Sequence, residues 1–508
     1  MDHGGMRSCP LPHCMMVKSV HLQAMNQDIS SLVPKAIHCM LRCFAVTLAT
    51  RNSSSSSGLA LSLPFAMGKS HKKKHHKHRP ELASCAASYI AQWASLRKRS
   101  DLSVALMNSS SSLHDWIPGD ASLLSSKAPV IELHTHSTCS DGMLSPNQLV
   151  EKAAASGVQV LALTDHDTMA GVPAALETAN KFGIRLIPGV EISAKVTAKT
   201  KNGFEEPVHI LGYYSCCGPT RWLELETVLA RIREGRHHRA QNMISKLKLL
   251  KKPVTWESVV TMAGDGVAPG RLHIARALLE AGHVCNLREA FNKYLYDGGP
   301  AYSPGCELAA EDAVRLIRDT GGVAALAHPW SLKDALPVVK RLKEVGLHAM
   351  EVYRGDGKAN GFVALADTFQ LLKLGGSDFH GRGDPDETKL GKVPLPLLAI
   401  REFLRVAEPI WIASIEELLQ NFAEESFQVH AGNAVGSKFF TELEGLKGDI
   451  ALEYSIEEEH SRAFLRLSAW LTDEDRQAVH NAVMQLKLGF EVVSEDGRTT
   501  CIVSRQLH

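Results

Sequence analysis

Seven short apolar runs recur between residues 130 and 375, and helical patterns separate most of them. The runs are Val130–Leu133, Val158–Leu163, Ile184–Val190, Val208–Tyr213, Val323–Ala327, Ala349–Tyr353 and Leu371–Gly375. The intervening patterns predict helices over Pro146–Ser156, Ala170–Phe182, Ala309–Asp319, Leu332–Glu344 and Asn360–Phe369. Strands that alternate with helices predict βαβ units, because parallel neighbours need a crossover that a helix supplies. The expected class is therefore α/β, with a parallel sheet or barrel. The rhythm breaks once. Residues 215–321 read as helices, over Trp222–Leu250, Arg271–Ala281 and Leu287–Tyr294, inserted between the fourth and fifth runs. A subdomain in that place can cap whatever the flanking strands carry.

The flanks differ in texture. Residues 1–126 hold serine runs and the basic stretch KSHKKKHHKHR at 69–79, interrupted by one helical patch at Glu81–Arg97. They are expected to be low-complexity and disordered, so a fragment beginning near Ser125 is expected to stay folded and active. The basic stretch reads as a nuclear-import or nucleic-acid tail, or as a solvated tail with no partner. The chain ahead of it, from Met1 to Ala66, is rich in serine and poor in acids. A transit peptide has that texture, and so does an extended N-terminus with no folded role. After residue 412 a helix (Ile415–Ala423), a strand (Phe464–Ala469), a second helix (Thr472–Leu486) and a hairpin turning at Glu495–Arg498 predict a small α/β module over 413–508.

Composition narrows the functions. The net charge is +1, so attraction to nucleic acid or membrane must be local. Eleven cysteines without a C-x-x-C pair argue against a disulfide framework and for a reducing compartment. No uninterrupted apolar stretch reaches the roughly 20 residues of a membrane helix. The expected location is cytoplasmic, with nuclear or organellar readings tied to the N-terminal region.

Chemistry gathers at the ends of the runs. His134 and His136 follow the first run, two residues apart and so on one face of an extended strand. Asp141 lies in the loop beyond. His166, Glu191, His209, His328 and the pair Asp378 and His380 stand at or near the ends of five other runs; only Ala349–Tyr353 contributes none. Strand C-terminal ends are where β/α barrels build their sites. Imidazole and carboxylate without cysteine suit divalent Mn, Zn or Fe. Nine candidate ligands exceed the four of a structural zinc site, so two or three ions are expected. Clustered ions suit phosphoryl chemistry. The expected attacking group is a metal-activated hydroxide, with no protein nucleophile.

The blocks HTHSTCSDG, LTDHDT, PGVEIS, HILGYY, ALAHPW and GGSDFHG, together with Gly270-Arg-Leu-His-Ile-Ala-Arg-Ala-Leu, resemble the PHP (polymerase and histidinol phosphatase) superfamily over residues 129–412. They are most similar to its nucleoside 3′,5′-bisphosphate phosphatases and 5′-to-3′ exoribonucleases. The resemblance implies a distorted (β/α)7 barrel at 127–412 and three ions, manganese foremost. It would place one on His134, His136, Glu191 and Asp378. A second would sit on Asp141, His166 and His380, and a third on Glu191, His209 and His328. It implies a nucleotide or short RNA substrate, no membrane and no stable protein partner. Arg236, Arg239 and Arg271 in the insertion are candidate phosphate ligands, because arginine grips phosphate bidentately; the alternative is a solvated helix face. Asp165 or Asp167 would orient imidazoles or merely shape the turn. The alternatives for function are a histidinol-phosphate phosphatase and a non-catalytic nucleic-acid-binding protein on the same fold.

Overall fold

A computed structural model describes helical residues between 86 and 94, residues 129–430 apart from 198–204, 265, 306, 357–359 and 384–386, and the elements of 452–504. Eight strands form one sheet. They are β1 (Val130–Glu132), β2 (Val158–Leu163), β3 (Arg185–Thr197), β4 (Glu205–Tyr213), β5 (Leu308–Ala309), β6 (Val323–Leu326), β7 (Ala349–Glu351) and β8 (Leu372–Leu374). Their order is β1-β2-β3-β4-β6-β7-β8, with β5 beside β3. All seven predicted runs are strands in this sheet, which is mixed rather than all parallel. β4 runs against both neighbours, because the seven residues between β3 and β4 are too few for a crossover to a parallel strand. The sheet curls until an isolated bridge joins Thr135, beyond β1, to Phe379, beyond β8.

Helices α1 (Pro146–Ala155) and α2 (Val172–Phe182) follow β1 and β2. Ser145 caps α1 through the Gln148 amide, Gln148 reciprocates, and Pro146 occupies the first turn, where its missing N–H costs nothing. Gly183 ends α2 in the left-handed region, at φ 67 degrees. The insertion comprises α3 (Trp222–Leu249), α4 (Trp256–Ala263), α5 (Arg271–Glu280) and α6 (Leu287–Ala290) leading into a π turn, Phe291–Leu295. It has its own core around Met243, Leu247, Ile274 and Leu278. After it come α7 (Ala310–Asp319), α8 (Ala335–Glu344), α9 (Asn360–Thr368) and α10 (Leu397–His430).

Period-two alternation splits the sheet into two faces. Leu161 and Leu163 of β2 pack with α1 and α2, whereas Val160 and Ala162 point the other way. That second face holds Ile400, Phe403 and Leu404 of α10, and Ile90 and Trp93 from the helical residues 86–94. Ile90, Trp93 and Ala94, from the helical patch expected within the low-complexity region, lie in the core. Helix α10 runs unbroken through residue 412, where the catalytic region was expected to end. Beyond it, β9 (Leu452–Glu457), β10 (Arg462–Leu467), β11 (Phe490–Glu495) and β12 (Arg498–Ser504) form an antiparallel sheet with α11 (Asp473–Leu486) between β10 and β11. Asp496 and Gly497, the expected turn, and the basic stretch at 69–79 lie outside the described residues. No helix among the described residues is long and apolar enough to cross a membrane.

Candidate metal centre

The nine sequence-predicted ligands converge at one end of the sheet: seven follow the C-terminal ends of β1, β2, β6 and β8, while Glu191 lies within β3 and His209 within the antiparallel β4. Glu191 stands at their middle, completely buried in β3. Its Oε2 lies 3.2 Å from His134 Nε2, 3.1 Å from His136 Nε2 and 3.1 Å from His166 Nδ1. Its Oε1 lies 2.9 Å from His209 Nδ1 and 3.1 Å from His328 Nε2. Asp378 Oδ1 approaches His134 and His136 at 3.4 and 3.2 Å. Asp141 Oδ1 is 3.1 Å from His380 Nε2, 3.9 Å from His166 Nε2 and 4.0 Å from His136 Nδ1. Three overlapping groups result: His134, His136, Glu191 and Asp378; His136, Asp141, His166 and His380; and His166, Glu191 and His209. The expected sets left His136 out of the second group and gave the third His328 where His166 stands here; His328 lies beside that group through Glu191.

The backbone is bent to achieve this. Asp167, His328 and Asp378 adopt φ of 54, 27 and 52 degrees, a region non-glycine residues rarely occupy. Such strain collects at sites where the chain must turn sharply at a strand end.

Whether these residues suit metal ions is answered by their lone pairs. His136 Nδ1, Asp141 Oδ1, His166 Nδ1 and Glu191 Oε2 are buried without a hydrogen-bond partner. His134 and His136 point Nε2 at Nε2 across 3.1 Å. Buried polar atoms left unpaired cost free energy, and a divalent cation satisfies convergent nitrogens and oxygens of this kind.

Electrostatics tie the cluster together. Burial opposes charge on His134, but Glu191, Glu351 and Asp378 outweigh it and carry the imidazole well above its usual range. Burial is likewise outweighed at His136, which Asp378 and Glu191 raise to about 10. Asp141 and Glu191 stay well below the carboxylate range despite burial, because imidazoles surround them. Burial drives His166 the other way, well below its usual value. For metal-free protein the sign follows. His134 and His136 bind protons more tightly folded than unfolded, so their stabilisation is complete below about pH 6.5 and lost as pH rises, for His136 through about 10. Thermal melts in chelator should fall across that window. Metal affinity, which requires those protons to leave, should climb across it. A melting temperature that stays flat over the whole window would contradict the protonated pairs.

The remaining candidates divide. Asp165 accepts from Ser137 N and from the hydroxyls of Ser137 and Ser140, so it shapes the loop before Asp141 and bonds no imidazole. Asp167 accepts from Ser193 N at 2.7 Å and from Arg236 Nε at 2.7 Å, which fastens the insertion to the strand ends. Arg236 lines a cleft with Arg233 and His273 of the insertion against Asp141 and His166. Arg239 bonds Glu307 and the Ser303 carbonyl, and Arg271 bonds Asp297 at 2.6 Å. Sequence reasoning missed Arg382, whose Nη2 is 3.4 Å from Asp141 Oδ2, and Arg276, whose Nη2 rests 2.6 Å from Met143 Sδ. It also missed His273. Burial lowers that imidazole to about 4, and its Nδ1 accepts from Gly270 N–H, so the neutral ring carries its proton on Nε2. Arg276 and His273 stand in the stretch Gly270–Leu278 already noted, whose i, i+3 spacing was the available signal.

A family model described as the PHP domain matches residues 132–250. The 5′-3′ exoribonuclease Rnm of Salmonella typhimurium is 35% identical over 263 residues, covering 50% of this chain and 86% of that protein. The 3′,5′-nucleoside bisphosphate phosphatase of Chromobacterium violaceum is 34% identical over 262 residues, covering 50% and 88%. A crystal structure described as a metal-dependent phosphoesterase from Bifidobacterium adolescentis is 28% identical and covers 55% of this chain and 96% of that one, with a TM-score of 0.48.

Proposed function

The chain belongs to the PHP domain family, and from that premise we propose that it is a metal-dependent phosphoesterase that hydrolyses the 3′-phosphate of nucleoside 3′,5′-bisphosphates, short RNA from its 5′ end, or both. The observation that carries this reading is Glu191, a buried carboxylate contacted by five imidazoles. Two or three divalent ions, manganese foremost, would be held by the nine residues, and when bound they activate water and neutralise phosphate oxygens. The protein's own contribution is placement. The ligands stand on strand ends of a curled sheet, which we read as the distorted (β/α)7 barrel of 127–412, with 413–508 as an appended α/β module. The insertion roofs one side and offers cations to the substrate.

Arg276, which rests on the Met143 sulfur, and Arg382, whose contact with Asp141 is a long 3.4 Å, suit a second phosphate better than Arg236, Arg239 and Arg271, which acidic partners hold closely. Replacing Arg276 and Arg382 together with alanine should raise KM for a 3′,5′-bisphosphonucleotide about tenfold or more, the scale of a charge-assisted contact worth ~1.5–3 kcal/mol. Arylphosphate hydrolysis, lacking a second phosphate, should change much less, and Arg271→Ala should have the smaller effect. Equal losses on both substrates would move these arginines to the reacting phosphate. The broader test is a manganese-supplemented panel of nucleoside 3′,5′-bisphosphate, short 5′-phosphorylated RNA and histidinol phosphate. Preference for histidinol phosphate would refute the nucleotide assignment.

A further inference from the structure

Strand β7 brings no ligand to the centre, yet its last residue touches two of them. Glu351 ends β7, between β6 and β8, and is 1% exposed. Its Oε1 lies 3.1 Å from His134 Nδ1, and its Oε2 accepts the backbone N–H of His328 at 2.7 Å. We propose that Glu351 is the positioning residue of this centre: one carboxylate sets which nitrogen of His134 faces the ions and pins the bent backbone that aims His328.

A carboxylate only accepts hydrogen bonds, so Nδ1 of His134 carries a proton toward Glu351. Nε2 faces Glu191 and Asp378 at 3.2 and 3.4 Å, and it is the nitrogen whose proton would leave when an ion binds. His328 holds φ 27 and ψ 60 degrees, a conformation that needs support. The Glu351 bond supplies it at the residue's own N–H, and the ring then reaches Glu191 Oε1 at 3.1 Å. One contact is to a member of the first ligand group and the other to His328 beside the third, so Glu351 fixes the spacing between them. Buried Glu132 is the contrast. It accepts from the backbone of Ser377, Gly391 and, at 3.4 Å, His134, but from no imidazole, which is a scaffold role.

This inference rests on reading the centre as metal-binding, and the experiment separates the two. Wild-type protein, Glu351→Gln and Glu351→Asp are titrated with Co²⁺ against a competing chelator, with cobalt absorption recorded and folding checked by circular dichroism. In Glu351→Gln at least one site should weaken about ten- to a hundredfold, the range for carboxylates that orient metal-bound histidine. Its cobalt spectrum should shift, and Glu351→Asp, which keeps the charge, should recover part of the affinity. A wild-type chain that binds no Co²⁺ refutes the metal centre itself. Wild-type binding with Glu351→Gln affinity within twofold overturns only the positioning role. So does failure of both variants to fold, which would leave Glu351 a scaffold residue.

Discussion

Glu191→Gln should lose at least one ion per chain and lower kcat about a thousandfold or more, equivalent to ~4 kcal/mol of barrier. The side chain's volume and one carbonyl oxygen remain, so the change isolates the second anionic oxygen. That oxygen matters because the groups share it: Oε2 faces His134, His136 and His166, while Oε1 faces His209 and His328. An amide must turn its NH₂ toward one of these sets, and there it meets nitrogens that ought to be donating lone pairs to metal. Asp378 is a poorer first target. Its positive φ is tolerated by Asp and Asn but strains alanine, so Asp378→Ala would mix backbone with metal effects, and Asp378→Asn is the cleaner variant. The measurements are metal content by elemental analysis and turnover at saturating Mn²⁺, with the apo melting temperature as the folding control. Activity within tenfold of wild type at normal metal content would remove Glu191 from the centre.

The ligands were legible because a strand's end is written in local sequence. An apolar β-branched run stops, and a histidine or acid follows. HTH, PGVE and GGSDFH each carry both signals within a few residues. What the run-and-ligand pattern omits is any group whose role depends on a distant partner. Glu351 sits in a run that looked ligand-free, and its two contacts lie 217 and 23 residues away. Arg382 meets Asp141 across 241 residues. Arginines on a helix look alike in sequence, so only the fold separates Arg236, held by Asp167 at the cleft, from Arg271, held by Asp297 outside its lining. The orientation of β4 was hidden for a related reason. Strand direction is set by the connection, and the β3–β4 connection carries no helical pattern that would have demanded a crossover.

The helical residues near 90 are the sharpest case of context overriding composition, and they yield the second large expected effect. Surrounded by low-complexity sequence, they gave no reason to join the fold. Yet Ile90 is completely buried, Trp93 is 6% exposed, and both pack on the inner face of the sheet with Ile131, Leu133 and Phe403. Arg185, the first residue of β3, places its guanidinium 4.6 Å from the Trp93 ring centre and donates to the Trp93 carbonyl at 2.9 Å. The same guanidinium reaches Asp475 of α11 at 2.9 Å, and Tyr89 bonds Glu408 of α10. One short segment thus closes the strand N-terminal end and links it to two C-terminal helices. Trp93→Ala should cost ~3–5 kcal/mol, the usual penalty for emptying a buried aromatic site. A chain beginning at residue 127 should lose more, because Ala86, Ile90 and Ala94 leave as well, whereas one beginning at 81 should match the full chain. Chemical denaturation with guanidinium reads all three. The metal centre lies at the opposite ends of the strands, so folded Trp93→Ala protein should keep its metal content and turn over within about twofold, since distant, unshared sites act nearly independently. A 127–508 fragment with the denaturation midpoint of the full chain would show that the segment packs on the sheet without supporting it.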